Sequence, residues 1–107
     1  MLTIAGNTRI FIYKNRVDMR KSFEGLGAVV EREYPDKLLT GSLFVFLNRT
    51  GDRIKTLYWD HDGLAIWYKR LEKGTFSSKN CGEIDRRKFF MMLEGVTPKS
   101  LQKRWIS

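Results

Sequence analysis

Residues 41–74, GSLFVFLNRTGDRIKTLYWDHDGLAIWYKRLEKG, decide the fold. Leu43 to Leu47 is an unbroken apolar run, the pattern of a strand buried on both faces. Asn48-Arg49-Thr50-Gly51-Asp52 is turn chemistry, with Gly51 able to take positive φ. Arg53 to Trp59 is rich in β-branched and aromatic residues, as strands are. Asp60-His61-Asp62-Gly63 is a second turn, with an Asp-Gly pair of the hairpin kind. Leu64 to Leu71 closes a meander. A lone hairpin is marginal in water, whereas three strands with an apolar face can nucleate a domain.

Upstream, Arg9 to Tyr13 has strand composition and is a candidate to pair with the meander. Asp18 is placed to cap a first helix. Met19, Phe23, Leu26 and Val30 follow at helical spacing and predict its buried stripe. Gly25 and Gly27 cost that helix about 1 kcal/mol each relative to Ala, which suits either close packing against another backbone or a short, frayed helix. Pro35 stops it at Glu33 or Tyr34. Arg20 and Lys21 sit in its first turn, where a carboxylate in the turns, Asp52 or Asp60, is expected to hold Arg20 and lock helix to meander.

Downstream, Thr75 to Glu83 reads as a polar loop with Phe76 as its anchor. Asp85 is a plausible N-cap of a last helix, with Ile84 and Phe89 as a hydrophobic staple. That helix runs through Met92 and Leu93 to Gly95, with Pro98 beyond it. In strands two and three neither face alternates cleanly, so both sheet faces are covered in part, or one carries a mixed basic and aromatic surface. The expectation is a single α+β domain over residues 1–107: a small antiparallel meander sheet of about four strands with two helices packed on it.

The chain has 107 residues, enough for one core, and its seven Phe, four Tyr and three Trp argue against disorder. No apolar run approaches the roughly 20 residues that span a bilayer. The first residues have neither a basic nor a long apolar stretch of the kind signal peptides carry. One cysteine, Cys81, gives no internal disulfide and a cytoplasmic setting is expected. The net charge is +8, and residues 85–107 hold six basic and two acidic side chains, half of that excess. A basic balance of this size favours polyanionic partners, nucleic acid first.

Nucleophilic and metal chemistry find little support. Cys81 lies in a loop context with no motif around it, and there is one histidine. Asp60, His61 and Asp62 could approach a cation, but neighbours in a tight turn rarely converge, and the carboxylates suit turn N–H groups. No catalytic residue, metal site or cofactor is assigned. Two basic patches remain. Arg86, Arg87 and Lys88 sit in the first turn of the last helix, against its dipole, where a phosphate would reverse the sign of that conflict. Arg49, Arg53, Lys55, Lys69 and Arg70 interleave with Tyr58, Trp59, Trp67 and Tyr68, which suits exposed bases or a bent duplex, or else a core.

Asp18-Met19-Arg20-Lys21-Ser22-Phe23-Glu24-Gly25-Leu26, Leu43-Phe44-Val45-Phe46, Arg49-Thr50-Gly51-Asp52-Arg53-Ile54-Lys55, Trp59-Asp60-His61-Asp62-Gly63-Leu64, Lys69-Arg70-Leu71-Glu72-Lys73-Gly74-Thr75-Phe76 and Leu93-Glu94-Gly95 occur in this order. The ordered set resembles the Orf2-like protein, also called TnpB, of the insertion-sequence family numbered sixty-six. Ser22 stands where the family usually has Gly or a similar small residue, a minor change, and residues 77–83 look specific to this member. The family's motif positions fall here on Asp18, Met19, Arg20 and Lys21, then on Gly51, Asp52 and Lys55. They continue on Trp59, Asp60 and Gly63, and on Lys69, Arg70, Leu71 and Gly74. The resemblance implies a small accessory protein of bacterial transposition, with element-end DNA and the element's transposase as partners. It names a process without a mechanism. A non-catalytic DNA-binding component leads; a protein–protein adaptor on the transposase, and a metal-dependent nuclease, are the rivals.

Overall fold

In the computed structural model, which describes residues 6–76 and 81–94, the unbroken apolar run becomes the middle strand of a five-stranded sheet. In chain order the elements are β1 (Ile10–Ile12), α1 (Phe23–Glu33), β2 (Leu43–Leu47), β3 (Arg53–Asp60), β4 (Gly63–Arg70), β5 (Gly82–Ile84) and α2 (Arg86–Leu93). The spatial order of the strands is β4-β3-β2-β1-β5. The α+β class and the antiparallel β2–β3–β4 meander are as the residues predict. Two features differ. The sheet has five strands rather than about four, because Gly82 and Glu83, read as loop, and Ile84, read as the staple residue, pair antiparallel with β1. In addition β1 runs parallel to β2, with Ile10 opposite Leu43, so the segment carrying α1 is a crossover rather than a hairpin connection.

The side chains of β2 alternate between two cores. Leu43, Val45 and Leu47 join Ile10, Ile12, Ile54 and Phe76 beneath Phe89, Met92 and Leu93 of α2. Phe44 and Phe46 join Phe11 and Leu57 beneath Leu26, Val29 and Val30 of α1. One helix therefore covers each face, which is why strands two and three show no clean alternation. Ile84 packs in the same cluster as Phe89, in keeping with the predicted staple, and Asp85 accepts the Lys88 N–H at 2.7 Å as the predicted cap. The expected end of α2 at Gly95 lies outside the described residues.

The start of α1 is a correction. Asp18 and Met19 precede the helix, whose N-cap is Ser22, without a side-chain bond. The reason is Lys55. Its ammonium, on a residue only 8% exposed, donates to the carbonyls of Met19 at 2.7 Å and Lys21 at 2.8 Å. Those carbonyls are held against the sheet instead of opening the helix. Phe23, expected in the buried stripe, is 46% exposed. The helix ends at Tyr34 before Pro35, as predicted. Neither helical glycine meets another backbone: the nearest atoms to a Cβ on Gly25 are those of Lys21, and Gly27 has open space.

The hairpin turn is also differently built. Asp60 pairs with Gly63, leaving His61-Asp62 as the loop, and it is His61 that takes positive φ, at 57°. Gly51 does adopt the left-handed conformation, with φ 76°.

Candidate nucleic-acid interface

The loop after β1 crosses the α1 side of the sheet beside the β2–β3 turn. Between them lies a cleft of about 690 Å³ lined by Arg16, Asp18, Arg20, Arg49, Arg53 and Tyr68, among others. The turn forming one wall is rigid by its own chemistry. The Asn48 amide donates to Asp52 at 2.8 Å, the Thr50 hydroxyl donates to Asp52 at 2.7 Å, and Asn48 Oδ1 accepts the Arg53 N–H at 3.0 Å. These bonds hold the Asp52 carboxyl below its ordinary range, the Asn48 bond contributing most. Arg16 donates to the Asn48 carbonyl at 3.0 Å, which ties the opposite wall to the turn.

Arg20 pairs with Asp18, not with Asp52 or Asp60. Its guanidinium lies 2.6 Å from one Asp18 oxygen, and its backbone N–H donates to the other at 2.8 Å. The physical reason is proximity: the carboxylate two residues back folds onto Arg20's own amide, Asp52 is already engaged within its turn, and Asp60 stands at the far end of β3. Side chain and amide of Arg20 together bring Asp18 down to about 2 from 3.8. A carboxyl depressed in this way adds stability above its unfolded value near 3.8, and that contribution is lost as the pH falls through about 2. Carboxyl-carbon NMR should show Asp18 titrating near 2, and Arg20→Ala should move the midpoint upward. Arg20's side chain is 92% exposed, so the pair anchors no packing, and the melting temperature should barely change.

The predicted patch around the sheet divides. Arg53 and Arg70 stand directly opposite each other on neighbouring strands. Like charges in that position repel; Arg70 is offset by Glu72 at 3.2 Å. Arg49 is exposed at the cleft rim. Two lysines point elsewhere. Lys55 is the clamp on Met19 and Lys21, and Lys69 donates to the Leu93 carbonyl at 2.9 Å, fastening the end of α2 to β4. Tyr58 and Trp67 pack against the α2-side core, and Trp59 is half-buried. Tyr68 is the aromatic of this set left 47% exposed. Arg16, which the charge pattern alone did not single out, lines the same cleft, as does Arg20. Arg86, Arg87 and Lys88 are exposed on α2, across the sheet from the cleft, so the two patches are not brought together.

Asp60, His61 and Asp62 are exposed at the hairpin tip, and the Asp62 N–H donates to the Asp60 carbonyl. Among the described residues, no three His, Cys, Asp or Glu side chains gather as a ligand set. No helix of the described residues is long and apolar enough to cross a membrane.

An uncharacterized protein of Sinorhizobium fredii strain NGR234, y4hO, is 29% identical over 98% of this chain and 95% of its own length. A second from the same strain, y4jC, is 35% identical over 64% of this chain and 58% of its own. No solved structure matches the chain. The family model described as IS66 Orf2 like protein matches residues 8–103, from just before β1 to beyond α2. The chain therefore belongs to the IS66 Orf2-like family, the accessory proteins of transposition of that class of insertion sequence.

Proposed function

We propose that the protein is a non-catalytic DNA-binding component of the transposition complex of its element, with DNA phosphates held in the arginine cleft. The observation that carries this reading is the gathering of Arg16, Arg20, Arg49 and Arg53 around one concavity, with Arg70 opposite Arg53. Guanidinium is the group best suited to phosphate oxygens, and the Asp18 carboxylate in the same lining is already taken up by Arg20. Arg86, Arg87 and Lys88 add a second basic surface on the other side of the sheet, able to meet another stretch of the same DNA or another anionic partner. Lys55 and Lys69 support the site by holding its framework. The element's transposase is the natural protein partner in this reading.

Gel shifts with element-end and unrelated duplexes, at two salt concentrations, test it. The double variant Arg49→Gln/Arg53→Gln should weaken binding to both DNAs about equally, because phosphate contacts carry no sequence information. It should also flatten the salt dependence by up to about 0.9 in log–log slope for each phosphate no longer neutralised. Magnesium or manganese should produce no cleavage; metal-dependent cleavage abolished by Asp60→Ala would make the protein a nuclease. An unchanged salt slope, together with a transposase pull-down abolished by Trp105→Ala, would make it an adaptor; Trp105 lies outside the described residues.

A further inference from the structure

Phosphate binding explains the arginines of the cleft but not its tyrosine. Tyr68 is on the edge strand β4, and its ring is held from two sides. The Lys55 ammonium lies 4.9 Å from the ring centroid, and Arg53 approaches the phenol oxygen at 3.5 Å. Lys55 is itself fixed by two carbonyls, so the ring is set in place before any ligand arrives. Nearly half of the side chain still faces solvent, within a basic cleft whose volume is that of a small-ligand site.

We propose that the cleft takes an unpaired DNA strand, one base stacked on Tyr68 and the neighbouring phosphates on Arg49 and Arg53. This rests on the DNA-binding reading above and narrows it to single strands. A duplex buries its base faces and offers the cleft phosphates alone, leaving a pre-set exposed ring without a partner. An unpaired strand supplies both groups at once: a π-face for the ring and phosphates for the guanidinium groups. Stacking tolerates any base, so the contact asks for unpaired structure rather than sequence. The acid in the cleft, Asp18, is neutralised by Arg20 and does not repel the backbone.

Fluorescence anisotropy with a short oligothymidine and with a duplex of equal length tests the proposal. The unaltered protein should bind the oligothymidine more tightly than the duplex. Tyr68→Leu should weaken oligothymidine binding roughly tenfold, within the range contributed by one base–aromatic stack, and weaken duplex binding far less. Tyr68→Phe keeps the ring and the Lys55 contact while giving up the one from Arg53, and should retain most of the oligothymidine binding. Arg49→Gln/Arg53→Gln should weaken both ligands. On the unaltered protein, added oligothymidine should shift the Tyr68 ring resonances in NMR, a readout independent of how any variant folds. Equal oligothymidine affinity in Tyr68→Leu, or undisturbed Tyr68 resonances, would overturn the stack. A preference for duplex would overturn the unpaired-strand proposal and leave DNA binding standing; binding to neither would overturn both.

Discussion

Lys55→Met is expected to lower stability by about 2–3 kcal/mol, the scale of losing hydrogen bonds to a charged group at a buried position. Methionine retains the aliphatic stem, so the loss isolates the ammonium, with its two carbonyl bonds and its place over the Tyr68 ring. Met19 and Lys21 would then present carbonyls without their donor. For a domain of this size a loss of this scale lowers the melting temperature by roughly 10 °C, measurable by circular dichroism. The variant should also bind nucleic acid less well, although Lys55 is only 8% exposed, because the segment bearing Arg20 loses its anchor to the sheet. A Lys55→Met protein that melts normally and fails only in binding would show that the lysine meets DNA directly.

The larger loss is expected at Phe44, where truncation to alanine should cost about 3–5 kcal/mol. Phe44 is fully buried on the middle strand. Its ring stacks on Phe11 at 5.7 Å and meets Tyr34 at 5.3 Å, so one side chain joins β1, β2 and the end of α1. The cavity and the missing ring stacking both contribute, since these neighbours belong to elements that cannot all close on the gap. Domains are commonly stable by only about 5–15 kcal/mol, so urea denaturation should show a midpoint far below that of the unaltered protein. Phe23→Ala is the matched control. Its side chain is 46% exposed, and the change should stay within about 1 kcal/mol. A Phe44→Ala loss no larger than that of Phe23→Ala would show that the α1-side core is not packed around this ring.

The contrast between these two phenylalanines marks where the chain was legible. Leu43 to Leu47 announces a strand buried on both faces, and the turn residues after it announce the meander. The helix boundary was not legible. Met19 and Phe23 keep helical spacing with Leu26 and Val30, but whether carbonyls 19 and 21 face a helix amide or a distant lysine depends on a residue some 34 positions on. The direction of β1 was hidden for a similar reason: composition identifies a strand and says nothing of its partner's sense. Gly82–Ile84 has one apolar residue and no period to read. Of the cleft, Arg49 and Arg53 were visible as charge, while Arg16 and Arg20 join them only through the path of the loop after β1, held by the Val17–Leu47 backbone bond and by Lys55. Lys55 did leave a trace: alternation puts it on the same strand face as Leu57, which is buried.

The parallel pairing of β1 with β2 has a kinetic consequence. Residues 43–70 form three adjacent strands linked by short turns, so their closure costs the chain little entropy. β1 must return across the whole α1 crossover, and β5 from further still, with Arg9 and Glu83 meeting across 74 positions. Contacts of that separation are the slow ones to form. Assembly is therefore expected to run outward from the meander, through α1 and β1, to β5 and α2. The Arg9–Glu83 pair is expected to close this sequence of events, its two carboxylate oxygens accepting from Nε and one Nη of the guanidinium, each at 2.9 Å. Arg86, Arg87 and Lys88 ride on the last segment to dock, so their side of the molecule gains its shape only after the arginine cleft has formed.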